Sequence, residues 1–116
     1  MYEQTIYSEE FDGFLITVII EDEDTLPEGQ LLDADGNDDE EMLEKIDEGE
    51  YVWFSVRVTA SRDGVDLGEE YLSGCCYKYE IDFVRDGGGE YVDMRAAAVH
   101  SAKEALAALN SEEPAQ

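Results

Sequence analysis

The sequence predicts an α+β fold: an antiparallel sheet of about five strands, a long C-terminal helix packed on one face, and a short acidic helix, in the order β-β-α-β-β-β-α. Three observations lead there. Two Asp-Gly pairs, Asp12-Gly13 and Asp63-Gly64, each separate a pair of β-prone runs, and a two-residue Asp-Gly link is a strong hairpin signal because glycine tolerates the positive φ of a type I′ turn. Several runs alternate apolar and polar residues with period two. The chain then ends in an Ala-rich segment of high helix propensity. A length of 116 residues suits one domain with one modest core, expected over residues 1–110 with a frayed tail at 111–116.

Taken in order, residues 2–11 and 14–22 form the first hairpin. The second of these strands, FLITVIIED, is apolar on both faces at its centre, so it is expected inside the sheet with something packed on each side. Pro27 and Gly29 mark a connection. Asn37 is positioned to cap a helix over residues 38–47, whose Met42, Leu43 and Ile46 share a face and which Gly49 ends. Glu41 and Lys45 are a favourable i,i+4 pair, whereas Glu40–Glu44 and Glu44–Glu48 repel.

Residues 51–62 alternate, with Val52, Phe54, Val56, Val58 and Ala60 on one side. Residues 65–73 return from the Asp63-Gly64 turn, and Gly74 is expected to break that strand. Residues 76–84, CYKYEIDFV, read as a fifth strand with Tyr77, Tyr79, Ile81 and Phe83 inward. Gly87-Gly88-Gly89 is a joint leading to a helix over residues 91–110, with Val92, Ala96, Val99, Ala102, Leu106 and Leu109 as its apolar stripe.

Charge dominates the composition. There are 31 Asp plus Glu against 7 Lys plus Arg, a formal net charge of −24. The same chain is 43% hydrophobic with 7 Tyr, 4 Phe and 1 Trp, which a disordered acidic tail would lack. An excess of this size excludes direct contact with nucleic-acid phosphates or an anionic membrane, both of which require a basic patch. The longest apolar run, FLITVII, is too short to span a bilayer, and MYEQTIYSEEFDG has neither the basic nor the apolar region of a secretory signal. A soluble, cytoplasmic protein is expected, monomeric or homodimeric, with a cationic partner.

Enzyme chemistry finds little support. His100 is the only histidine, so two-His metal motifs are impossible, and it lies beside the apolar stripe of a helix. Cys75 and Cys76 are adjacent and have no second pair to complete a zinc site; they read as reduced thiols in a strand, one facing in and one out. The glycine run before the last helix lacks a phosphate-loop pattern and is flanked by Asp86 and Glu90. An EF-hand register beginning at Asp33 places Asp35, Asn37 and Glu44 at positions three, five and twelve. Position six, where the sharp turn needs glycine, is Asp38, and the nearest glycine, Gly36, falls at position four. No cofactor or metal is expected, and the chain reads as a non-enzyme.

The negative charge is clustered. Residues 21–50 hold fifteen of the 31 acidic groups: Glu21, Asp22, Glu23, Asp24, Glu28, Asp33, Asp35, Asp38, Asp39, Glu40, Glu41, Glu44, Asp47, Glu48 and Glu50. Lys45 is the one basic residue among them. All but Glu28 and Glu50 are candidate partner-binding residues, with Tyr7, Tyr51 and Trp53 as candidate apolar anchors. Duplex DNA carries a phosphate about every 3.4 Å along each strand, and i,i+4 positions of a helix repeat at about 6 Å, so carboxylates on such elements approximate a phosphate row. A halophilic protein would spread its acids evenly; here the C-terminal helix is nearly neutral.

A small acidic α+β chain without an enzyme motif resembles the DNA-mimic inhibitors of phages and plasmids, the anti-restriction and anti-CRISPR proteins. The block WFSVRVTASRDGVDLGEEYLSGCCYKYEIDF, followed by GEYVDMRAAAVHSAKEAL, is similar to small proteins of phages and mobile elements, over about half the chain (residues 51–109). The resemblance supplies no catalytic residues. It implies an inhibitor of a host nucleic-acid-targeting defence complex, a CRISPR–Cas complex first and a restriction enzyme second, that blocks DNA or guide-RNA binding from the host cytoplasm. The alternative is a non-enzymatic acidic module that binds divalent cations or a basic protein.

Overall fold

The structure, a computed structural model, describes residues 3–23, 26–85 and 89–112, the side chains of 110–112 excepted. Its centre is a four-stranded antiparallel sheet in the order β1-β2-β3-β4. The strands are β1 (Glu3–Phe11), β2 (Phe14–Asp22), β3 (Val52–Arg62) and β4 (Val65–Tyr77), with helices α1 (Glu40–Asp47), α2 (Asp82–Arg85) and α3 (Glu90–Glu112). Both Asp-Gly links form the expected turns. Asp12 and Gly13 have φ of 52° and 85°, and Asp63 and Gly64 have 54° and 81°, positive at both central positions as type I′ requires.

The core follows from alternation on the two inner strands. Phe14, Ile16, Val18 and Ile20 of β2 and Phe54, Val56, Val58 and Ala60 of β3 are all buried on one face. That face is closed by α3, which lies mainly against β4 and β3. At Gly68 the two backbones touch: a Cβ there would sit 2.0 Å from the carbonyl oxygen of Ala98 and 2.8 Å from the nitrogen of Ala102. Glycine in the strand and alanine in the helix are what allow so close an approach.

That contact also turns the helix. Its buried side is Tyr91, Ala98, Val99 and Ala102, with Met94 and Leu106 half-buried. The expected stripe shares Val99, Ala102 and Leu106 with it, but Val92 and Leu109 are more than half exposed and Ala96 is exposed. Tyr91 takes the inward place of Val92 because an aromatic cluster awaits it, with Tyr7 and Phe83 at centroid distances of 5.9 and 6.3 Å.

The fifth strand does not exist. Gly74 does not break β4; with φ of 69° it sits in a bulge. Val56 pairs with Leu72 and Phe54 with Cys75, so β4 carries an extra residue, and the Trp53 ring lies 3.2 Å from where a Gly74 Cβ would be. The strand then runs on through Cys75, buried, and Cys76, half-buried, both free thiols. At Tyr77 its partner β3 is exhausted at Val52. The rest of the predicted strand closes instead into turns, Asp82 N–H donating to Tyr79 O at 3.0 Å and Phe83 N–H to Glu80 O at 3.1 Å, and leads into α2. The apolar alternation of 76–84 therefore serves to aim Tyr77 and Phe83 into the aromatic cluster, 6.1 Å apart.

β2 is central as expected, but among the described residues only one of its faces belongs to the hydrophobic core. Leu15, on the other face, is 46% exposed. No helix among the described residues is long and apolar enough to cross a membrane.

Candidate functional site

The acidic segment links β2 to β3, and aspartates build much of its shape. Asp33 accepts backbone N–H donors from Asp35 at 2.9 Å and Asn37 at 3.0 Å, while its own N–H donates to Asn37 O at 2.7 Å. Asp38 accepts from Gly29 N–H at 2.8 Å. The helix begins two residues later than the sequence suggests, because Asp39 and not Asn37 is the N-cap, accepting from Met42 N–H at 3.2 Å. Asn37 is held in the Asp33 turn and is not free to cap. Glu40 and Glu41 then occupy the first turn and Lys45 the last, each suited to the helix dipole.

The expected docking residues separate into two groups. Glu21 and Glu23 are tied to the sheet. Glu21 binds Arg57 Nε at 2.9 Å, and Glu23 accepts the Gly74 N–H at 2.5 Å. Asp33, Asp38 and Asp39 hold backbone groups, as above. Asp24 lies outside the described residues. The second group is Asp35, Glu40, Glu44, Asp47 and Glu48, all exposed, with Asp22 exposed at the end of β2. Glu41 reaches Lys45 at 3.5 Å across one turn, and that carboxylate, first by its charge, raises the Lys45 pKa.

At 3.6 residues per turn, Glu40, Glu44 and Asp47 fall on one side of α1. Met42, Leu43 and Ile46 share an adjoining side and are half-buried; no residue of α1 is fully buried. The helix therefore presents its carboxylates while contributing nothing to the main core.

The three candidate aromatic anchors occupy different places. Tyr7 is packed against Tyr91 in the core, and Trp53 lies over Gly74. Tyr51 remains beside the segment, with the Lys45 ammonium 5.7 Å from its ring centre.

Two polar clusters were not legible as such in the sequence. Arg57 gathers Glu21 together with Glu3 at 3.1 Å and Glu69 at 3.8 Å, and the hydrogen bond it donates to Glu21 is the main reason its pKa is raised. On the core face, Glu9 accepts from the Tyr91 hydroxyl and from Arg95 Nη1 at 3.0 Å, while the Arg95 guanidinium lies 3.9 Å from the Phe11 ring centre. Burial, then the Glu9 contact, pushes the Tyr91 pKa up. Both clusters need residues far apart in sequence, and only the strand register brings them together.

His100 is exposed and pairs with Glu104 at 3.0 Å on the outer side of α3. A cleft of about 440 Å3 opens at the hairpin tips between Phe11, Leu15 and Arg62, and another of about 320 Å3 lies where Leu31 approaches Gly74 and Cys75; His100 lines neither. Among the described residues no three His, Cys, Asp or Glu side chains are grouped so as to hold a metal ion. Comparison of the chain with family models, with curated proteins and with solved structures gave no match.

Proposed function

We propose that this protein is a phage-type inhibitor of a host nucleic-acid-targeting defence complex, acting in the host cytoplasm as an acidic mimic of nucleic acid. Its docking surface is α1 with the loop before it, and its target is the basic path that holds DNA or guide RNA, in a CRISPR–Cas complex first and in a restriction enzyme second. One observation carries the reading: Glu40, Glu44 and Asp47, with Glu48 at the C-cap, are exposed on a helix with no fully buried residue.

Such a helix is poorly explained by the stability of the fold, since its like-charge i,i+4 pairs are unfavourable. It is well explained by a cationic groove, which rewards closely spaced carboxylates through release of condensed counterions and fast, steered association. The loop hydrogen bonds of Asp33 and Asp38 set the segment before it meets a partner, which lowers the ordering cost of binding.

The test is charge reversal at Glu40, Glu44 and Asp47 to Lys, with inhibition of target-DNA cleavage by purified interference complexes and restriction enzymes as the readout. The expected result is loss of inhibition with the fold retained by circular dichroism, and a parent activity that weakens with added salt and with competitor DNA. Inhibition that survives the triple reversal would remove this surface from the mechanism.

A further inference from the structure

On the second face of the sheet the small polar side chains Ser55, Thr59 and Ser61 of β3 are buried, while larger side chains on the strands around them are exposed. Leu15 and Ile19 lie on β2 and Tyr71 on β4, with Arg57 of β3 between Ile19 and Tyr71. Leu15 is 46% and Tyr71 55% exposed, and Ile19 is half-buried. Carboxylates line both long edges: Glu3 and Glu10 on β1, Asp66 and Glu69 on β4, all exposed. The strand pairings put these residues on one side, with Glu10 opposite Leu15, Ile19 opposite Arg57, Arg57 opposite Tyr71 and Glu69 opposite Thr59. Arg57 is the cation at the centre, and Glu3, Glu21 and Glu69 already hold it.

We infer that this face docks a cationic amphipathic helix of a partner protein. Three strand spacings of about 4.8 Å give a face about 14 Å wide, which matches one helix about 10 Å across; the same sheet already takes one helix, α3, on its other face. Leu15, Ile19 and Tyr71 meet the apolar stripe of the incoming helix. The acidic edges meet Lys or Arg on both flanks of that stripe. A second copy of this chain is a poor occupant, because two such faces would bring acidic edges against each other. The inference is independent of the role of α1, whose carboxylates lie on the β2–β3 connection and not on the strands.

The test titrates the isotope-labelled full chain, at physiological ionic strength, with a synthetic helical peptide of Leu, Ala and Lys whose lysines flank a leucine stripe. A scrambled peptide of the same composition is the control. Expected are amide shift changes at Leu15–Ile19, Arg57–Ser61 and Glu69–Tyr71, and affinity for the scrambled peptide lower by about tenfold or more. Leu15→Lys and Tyr71→Lys, both at exposed positions, should each weaken the amphipathic peptide to a similar degree while leaving the spectrum folded. Three outcomes would overturn the inference: equal binding of the scrambled peptide, shifts confined to residues 33–50, or concentration-dependent self-association that both variants abolish. The second of these would leave the proposed role of α1 standing, so the two readings fail separately.

Discussion

At Gly68 a single hydrogen atom in place of a side chain sets how near α3 lies to the sheet. Gly68→Ala would drive a methyl group to 2.0 Å from the Ala98 carbonyl oxygen, and the helix would have to move. A loss of about 3 kcal/mol, the upper end of ordinary overpacking, is expected in urea unfolding. No change of side chain at Ala98 should rescue it, because the obstructing atoms belong to the backbone. Cys75 offers a second check at this scale. Burial pushes its thiol pKa from 9.0 up to about 12, so the native state keeps a proton that the unfolded chain releases first. That contribution to stability is fully present below pH 9.0 and is lost as pH climbs toward about 12. The urea midpoint should fall over that interval, and Cys75→Ala should flatten the fall without abolishing it, since burial also raises Tyr77 and Tyr91. An unchanged slope in the variant would mean that the thiol is not shielded. The same burial predicts slow labelling of Cys75 by thiol reagents, since the thiolate is the reactive form.

Among elements, α1 differs in kind from the rest. Glu44→Lys converts two repulsive pairs, with Glu40 and Glu48, into attractive ones, each a change of about 0.5 kcal/mol. Global stability should hardly move, because α1 adds nothing to the core; the gain should appear as slower amide exchange within residues 40–47. Exchange in the parent should be fast there and slow in β2 and β3, and equal protection of α1 and the central strands would show that the helix is integral to the core. The elements that the sequence made legible are those with local causes. Asp-Gly turns, the alternation of β2 and β3 and the Ala-rich helix are all written in neighbouring residues. The misread elements have causes at a distance. The bulge at Gly74 depends on Trp53, the end of β4 depends on where β3 ends, and the rotation of α3 depends on Gly68 and on the waiting ring of Tyr7. The acidic segment was legible as charge, but which carboxylates face outward was not, since the choice of Asp39 over Asn37 as cap rests on the turn that Asp33 builds.

For the whole molecule, a net charge of −24 sets the behaviour. Of the seven cations, Lys45, Arg57, Arg95 and Lys103 each hold a carboxylate already, so little positive charge is left to offset the rest. The radius of gyration is 17.3 Å, against about 13 Å for a compact chain of this size, and the longest dimension is 63 Å. Self-repulsion of this kind is screened once the Debye length drops from about 10 Å at 0.1 M salt toward about 3 Å at 1 M. Thermal unfolding should therefore shift upward by several degrees between those salt concentrations, and sulfate should not be required for the effect. A Tm indifferent to sodium chloride would mean that the carboxylates do not burden the folded state.

The place of the acidic segment in the chain has one more consequence. It is inserted between β2 and β3, two strands that pair side by side at the centre of the sheet, and 29 residues separate Asp22 from Val52. Closing such an excursion in place of a turn of about five residues costs only about 1.5 kcal/mol of chain entropy, since the penalty grows with the logarithm of length. The sheet and α3 can thus remain as they are while the insertion is lengthened, shortened or exchanged. The chain is built as a chassis with a replaceable cassette, and a cassette of different charge pattern on the same four strands would give an old fold a new surface.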